Sequence, residues 1–193
     1  MEKDFGENYS FETLPKRIFL DSCVLQIISD YGEYVFDNVE PRPTRSIFRI
    51  PGGYKELQSI QDIFFVNQRA QFEFALSRHS VNETVARGNS GHLNWVLEVM
   101  NYWERILEDY ENSPFNEKSA IRASLADHRS FGYLSQKDRL LLKDALSLEC
   151  EAFLTIDGKL LKNSAHLNEK LGLRLFSPSE YWDVLKPWAR LYV

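Results

Sequence analysis

Four acidic residues in this sequence lie where a metal-dependent hydrolase needs carboxylates. Each follows an apolar, strand-like run or begins a helical pattern that connects two such runs. The four are Asp21, Glu83, Asp138 and Asp157. Carboxylate oxygens suit Mg²⁺, and two divalent ions about 3.5–4 Å apart can activate water and stabilise the leaving oxygen of a phosphodiester. We therefore predict that these acids are catalytic and bind Mg²⁺ or Mn²⁺.

The elements that must position these acids are four apolar runs, at 17–20, 72–76, 152–155 and 173–176. Continuous apolar character is typical of buried parallel strands, and helical patterns separate the runs. This alternation predicts an α/β fold, specifically an α/β/α sandwich with a mostly parallel central sheet. Ligands bind beyond the carboxyl ends of the strands in such sheets. Asp21 and Asp157 directly follow the first and third runs, so both are expected at that edge.

Hydroxyl side chains accompany two of the acids. Ser22 follows Asp21, and Thr155 stands two positions before Asp157. Carboxylates that converge raise one another's pKa values, so a divalent cation and nearby hydrogen-bond donors would stabilise them. Ser22 and Thr155 are predicted to support the acids; an ordinary polar role is the equally weighted alternative.

Each acid also has a purely structural interpretation, which the sequence leaves open. Asp21 would cap the helix after it, and Asp157 would form a turn before a glycine. Glu83 ends a Ser-Val-Asn-Glu capping box, which predicts a helix start at position 80. Asp138 suits a helix start because of the helix dipole. Asp144 is the nearest rival to Asp138 and is expected to be exposed or to support the site.

Taken together, these pieces resemble the PIN-domain nucleases, a family that includes the VapC-like toxins of toxin–antitoxin systems. The matching segments are 18–25, 80–83, 138–146, 153–157 and 173–180, in the family's order. Asp157 follows Asp138 by 19 positions, close to the family's spacing between its third and fourth acids.

The resemblance implies a single PIN-like domain over 1–193, a catalytic Mg²⁺ or Mn²⁺, and cleavage of RNA. It also implies two protein partners, namely an antitoxin that occupies the acidic cleft, plausibly through an arginine, and a second copy in a homodimer. Two segments depart from the compact family members: an inserted loop region at about 30–57 and an expanded helical region at about 84–134. Both departures bear on the substrate and on a toxin role.

The insertion carries three arginines, Arg42, Arg45 and Arg49, with Phe48 among them. Arginines can contact RNA phosphates, and an aromatic ring can stack on a base. A solvated loop without a ligand is about equally consistent with this composition.

Length and composition set the remaining expectations. A chain of 193 residues suits one generous domain. It contains no apolar run of about 18 residues and begins without a secretory pattern, so we expect a cytoplasmic protein with no membrane partner. Cys23 and Cys150 lie far apart and are expected to be reduced thiols. The net charge of −5 disfavours a general nucleic-acid coat protein but not a nuclease, which needs only a few well-placed cations.

Two other functions remain as alternatives. One is a catalytically inactive PIN-like module that binds RNA or protein. The other is a phosphohydrolase of the haloacid-dehalogenase type, whose chemistry requires a second aspartate two positions after the first, where this chain has Cys23. Neither a Gly-rich dinucleotide loop nor a Walker P-loop is present in the sequence.

Overall fold

The computed structural model describes residues 11–43, 45–70, 72–85, 90–111, 125 and 128–189. Within these ranges, side chains are described except at 11, 82–85, 90–95, 109–111 and 128–129. All four predicted strands fall inside these ranges, including both of their ends.

The strands form one parallel sheet. They are β1 (Arg17–Leu20), β2 (Glu73–Ala75), β3 (Ala152–Leu154) and β4 (Arg174–Phe176). Their spatial order is β2-β1-β3-β4, and each neighbouring pair is parallel. Phe19 of β1 is aligned with Ala75 on one side and with Phe153 on the other. The predicted α/β class with a parallel sheet is therefore confirmed, and β1 and β3 are its central strands.

Helices connect and cover these strands. They are α1 (Ser22–Asp30), α2 (Gly32–Asp37), α3 (Gly53–Ala70), α4 (Arg78–Val85), α5 (Ser90–Glu111), α6 (His128–Phe131), α7 (Gln136–Ser147), α8 (Gly158–Lys162), α9 (Ser164–Leu171) and α10 (Pro178–Ala189). Two short 3₁₀ turns occur at Phe11–Thr13 and Ser46–Arg49. Within the described part of the chain, no helix is both long and apolar enough to cross a membrane.

Apolar side chains from the two faces of the sheet enter two separate cores. Ile18 and Leu20 pack with residues of α1, α3 and α10. Phe19, between them, points to the opposite face and packs with residues of α5, α7 and α9. Its ring stacks on that of Phe153 at 5.3 Å between centroids. Because neighbouring strand residues face opposite sides, helices cover both faces, an arrangement compatible with the predicted α/β/α layering.

The region at 30–57 differs from the predicted loop because part of it is helical. It contains α2 and the 3₁₀ turn Ser46–Arg49, and α3 begins at Gly53 rather than at the predicted Lys55. The hydroxyl of Tyr31 accepts a 3.0 Å hydrogen bond from the backbone N–H of Ile47. A Cβ atom at Gly53 would lie 2.5 Å from the carbonyl oxygen of Ile47, so this turn requires glycine there.

The expanded helical region predicted for about 84–134 contains the long helix α5. Trp103 is buried and donates from its indole N–H to the carbonyl oxygen of Phe74 over 2.8 Å. This residue therefore belongs to the core. The parts of the predicted helical region at 86–89, 112–124 and 126–127 lie outside the described residues.

Candidate functional site

The carboxylate of Asp21 is buried at the carboxyl end of β1, where only 5% of the residue is exposed. Oδ1 accepts hydrogen bonds from the Ser22 backbone N–H at 2.6 Å and from the Ser22 hydroxyl at 3.2 Å. Oδ2 accepts from Thr155 Oγ1 at 2.6 Å and from Cys23 Sγ at 3.0 Å. Four donors thus compensate for the burial of one negative charge. Asp21 also caps the amino end of α1, so its structural interpretation holds beside any catalytic one.

Thr155 connects the ends of β1 and β3. It is fully buried, and its hydroxyl, which donates to Asp21, also accepts a 3.0 Å hydrogen bond from the backbone N–H of Asp157. Thr155 directly follows β3, and its own N–H donates to the carbonyl oxygen of Phe176 at the end of β4. One hydroxyl therefore contacts one acid through its carboxylate and the other through its backbone.

Cys23 is a contact of Asp21 that the sequence analysis did not identify. Its thiol also lies 3.4 Å from Thr155 Oγ1 and accepts from the Ile156 N–H at 3.3 Å. Burial raises the pKa of the Cys23 thiol, and the charge of Asp21 raises it further. The thiol therefore remains protonated and donates to the carboxylate. One feature of the sequence could have identified Cys23 as a contact of Asp21, namely its position two residues after a strand-end aspartate.

Asp157 and Asp138 each cap a helix with one carboxylate oxygen. Oδ1 of Asp157 accepts from the Lys159 N–H at 2.7 Å at the start of α8. Oδ2 of Asp138 accepts from the Ser135 N–H at 3.0 Å, and the Ser135 hydroxyl accepts from the Asp138 N–H at 3.1 Å. This reciprocal pair forms a capping box at the start of α7. Asp138 therefore has the helix-start role that the sequence left open, whereas Asp157 caps a helix where a turn was the structural alternative. The second carboxylate oxygen of each acid lies outside these caps.

A hydrogen bond from Lys137 connects the start of α7 to the end of β1. Its Nζ donates to the Ser22 hydroxyl over 3.1 Å, and that hydroxyl donates to Asp21. Asp138, the next residue along the chain, lies in the same first turn of α7. Sequence analysis missed Lys137 because its spacing to Asp21 carries no local pattern.

Glu83 lies in α4, but that helix does not begin where the capping box predicted. It begins at Arg78, and Ser80 Oγ accepts from the Ser77 N–H at 2.9 Å. The predicted helix start at Ser80 is therefore wrong, because Ser80 occupies the third position of the helix and Ser77 precedes it. The side chain of Glu83 lies outside the described residues, so its approach to Asp21 stays a prediction.

Asp144 was expected either to be exposed or to support the site. It is buried, so the first of these two expectations is wrong. Only 8% of the residue is exposed, and Oδ2 lies 2.8 Å from Nδ1 of His79. His79 is in the first turn of α4, and Asp144 is in α7. This pair fixes the helix of Glu83 against the helix of Asp138.

The three arginines of the insertion are exposed. The guanidinium carbon of Arg45 lies 6.0 Å from the centre of the Tyr31 ring. Phe48 is 40% exposed and stacks on Tyr54 at 5.0 Å between centroids. One face of Phe48 is therefore already covered, and stacking of a base would use the other face or displace Tyr54.

The end of the insertion contacts the carboxyl edge of the sheet. Glu56, in the first turn of α3, accepts from the backbone N–H of Ser179 at 2.8 Å and from its hydroxyl at 2.6 Å. Ser179 is in the first turn of α10, directly after β4. The first turn of α3 is therefore in contact with the edge at which β4 ends.

The donor chemistry at this edge suits a hard divalent cation. Asp21 and Asp157 offer carboxylate oxygens, and the hydroxyls of Ser22 and Thr155 can rotate to release an oxygen lone pair of Asp21. Among the side chains that the structure describes, no three Asp, Glu, His or Cys groups form a cluster able to hold a metal. The described acids Asp21, Asp138 and Asp157 therefore do not form such a cluster among themselves. The side chain of Glu83 lies outside the described residues, so a centre of four acids stays a prediction.

Comparisons with protein-family models, with curated proteins and with solved structures find no match for this chain. The residues and their geometry therefore carry the functional argument.

Proposed function

We propose that this chain is a PIN-type, divalent-metal-dependent endoribonuclease that hydrolyses RNA phosphodiester bonds. The observation that carries the proposal is the Thr155 hydroxyl, which donates to the buried carboxylate of Asp21 and accepts from the backbone of Asp157. A buried carboxylate with four hydrogen bonds is held in one orientation, as a metal ligand must be.

The order of the strands supports the same proposal. β1 and β3 are neighbours at the centre of the sheet, and Leu20 is aligned with Leu154. Asp21 and Thr155, which directly follow these two residues, are therefore about 4.8 Å apart in the hydrogen-bonding direction. Asp21 follows β1, and Asp157 comes three positions after β3. Parallel sheets bind ligands at this edge.

The site residues have different roles in the proposed hydrolysis. Asp21 and Asp157, with Glu83 and Asp138, would hold Mg²⁺ or Mn²⁺. When bound, the cation supplies Lewis-acid stabilisation of the phosphodiester and a more acidic water. Ser22, Cys23 and Thr155 orient the carboxylate of Asp21. The buried surroundings of that carboxylate keep bulk water away from its protein-facing side.

RNA contact is assigned to the exposed arginines Arg42, Arg45 and Arg49. The overall charge of −5 does not attract a polyanion, so binding requires a local group of cations. Arg49 lies close to the turn that enters α3, whose first turn contacts the carboxyl edge through Glu56.

The proposal is tested by incubating a mixed RNA pool with the protein in Mn²⁺, in Mg²⁺ and in EDTA. We expect cleavage with either metal, none in EDTA, and none by Asp21→Asn. The asparagine variant keeps the shape of the side chain, and circular dichroism would verify that it folds. Cleavage by a folded Asp21→Asn would overturn the site assignment, and no cleavage by the wild type would overturn the function.

A second candidate function is a PIN-like module that binds RNA or protein without catalysis. The helix caps favour it, because Asp138 and Asp157 each already use one carboxylate oxygen in a structural role. Such a module would bind RNA equally well in EDTA and in Mn²⁺ and would leave it intact. Metal-dependent cleavage excludes this alternative.

A further inference from the structure

A lysine ammonium lies close to the buried carboxylate of Asp21, which the proposed function needs. Lys137 Nζ is 3.1 Å from Ser22 Oγ, and Ser22 Oγ is 3.2 Å from Oδ1 of Asp21. The ammonium is thus separated from the buried carboxylate by one hydroxyl group. The contact is partly buried, which reduces its screening by solvent.

The position of Lys137 in its helix makes this contact more informative. Ser135 is the N-cap of α7, so Lys137 is the second residue of the first turn. A cation is disfavoured there because the helix dipole is positive at the amino end. The helix dipole therefore does not favour a lysine at 137, and the contact with Ser22 brings the ammonium to the end of β1.

We propose that Lys137 is a phosphate-binding catalytic residue, whose ammonium contacts a non-bridging oxygen of the scissile phosphodiester. This inference rests on the proposed nuclease function and names a residue for it. A cation fixed where negative charge develops stabilises the transition state more than the ground state. The acids repel the phosphate, and Lys137 offsets that repulsion on the Ser22 side.

Lys137 neither donates nor accepts a proton in the proposed hydrolysis. The oxygen of a water molecule forms a bond to phosphorus while one bridging P–O bond breaks. The leaving oxygen takes up one proton, and the proton lost by the attacking water is released to the solvent. Lys137 stays protonated throughout and neutralises charge on the non-bridging oxygen.

The test compares Lys137→Gln, Lys137→Arg and a control, Lys170→Gln. Lys170 is exposed in α9, which leads into the amino end of β4 and so lies toward the opposite edge of the sheet. We expect Lys137→Gln to lower kcat about 100-fold and to change KM less than about threefold. Lys137→Arg, which keeps the charge, should recover activity to within about tenfold of the wild type.

A second readout uses no RNA. Mn²⁺ binding to the free protein, measured by calorimetry, should tighten about fivefold in Lys137→Gln because a like charge is removed beside the acids. A lysine that only stabilises the fold would not tighten metal binding when removed.

The outcomes separate the two proposals. Cleavage by the wild type and by Lys137→Gln at similar rates would overturn the role of Lys137 and leave the nuclease intact. Mn²⁺ binding that is unchanged or weaker in Lys137→Gln would also overturn that role. No cleavage by the wild type would overturn the nuclease and, with it, the role assigned to Lys137.

Discussion

The hydroxyl of Thr155 donates a 2.6 Å hydrogen bond to Oδ2 of Asp21, across 134 positions of sequence. Both residues are buried, and they follow the two central strands of the sheet. This bond fixes the orientation of the carboxylate on which the proposed chemistry depends. Stability and activity should therefore both respond to changes at Thr155.

Replacing Thr155 with valine keeps the shape of the side chain and removes its hydroxyl. We expect the free energy of unfolding to fall by about 1–3 kcal/mol, because a buried carboxylate loses a donor. Urea unfolding at neutral pH in EDTA measures this change. Thr155→Ser keeps the hydroxyl and is the matched control; an equally large loss in that variant would show that packing, and not the hydrogen bond, is responsible.

Two substitutions separate the capping and catalytic roles of Asp138. Ser135→Ala removes the other half of the capping box and should cost about 1 kcal/mol of stability while leaving RNA cleavage unchanged. Asp138→Asn keeps a side-chain oxygen for the cap and should preserve stability while reducing cleavage at least tenfold. Urea unfolding and cleavage rates are measured for both. If Asp138→Asn cleaves RNA normally, Asp138 is only a helix cap.

Stability should fall at alkaline pH because of Cys23. Its folded pKa is raised above the ordinary value of 9.0, so the unfolded chain releases this proton first. The contribution is complete below pH 9 and is lost as the pH rises above 9 toward the folded pKa, at up to about 1.4 kcal/mol per pH unit.

The measurement is urea unfolding in EDTA at several values between pH 7.5 and 10.5. Cys23→Ser is the control, because serine keeps a donor to Asp21 and does not titrate in this range. The wild type should lose more stability with pH than the serine variant. Parallel pH curves for the two proteins would contradict the assignment.

The arginines of the insertion should determine the salt dependence of RNA binding. Each phosphate contact on a single strand contributes about −0.7 to the slope of log affinity against log salt concentration. Replacing Arg42, Arg45 and Arg49 with glutamine should reduce that slope by about 2. The measurement uses Asp21→Asn protein in EDTA, so that the RNA stays intact, and Lys170→Gln in the same background is the control. An unchanged slope would assign the insertion to another role.

Much of the fold was predictable from local pattern. The four strands are short, continuously apolar runs, and their burial in a parallel sheet requires that character whatever surrounds them. A helix start near Asp138 was also predicted, since an acid suits the positive end of the helix dipole. Ser22 and Thr155 could be proposed as contacts of the acids because each is adjacent to a strand end.

Other features depended on where neighbouring elements end. Ser77 and Ser80 are three positions apart and both suit a helix start; the end of β2 at Ala75 places the start at Arg78. The short helix α2 lies in a region of prolines and glycines, and a tertiary contact, Tyr31 to Ile47, anchors the turn that follows it. Local propensity does not contain that information.

The sequence by itself determined the class of fold and the strand-end acids, because apolar runs and capping motifs act over a few residues. Tertiary structure decided which distant side chains meet at Asp21. Thr155 reaches it from the position after β3, 134 positions along the chain, and Lys137 reaches it through Ser22 from the first turn of α7. Hydrogen bonds have a range of about 3 Å, so these contacts exist only after the parallel strands have aligned their ends.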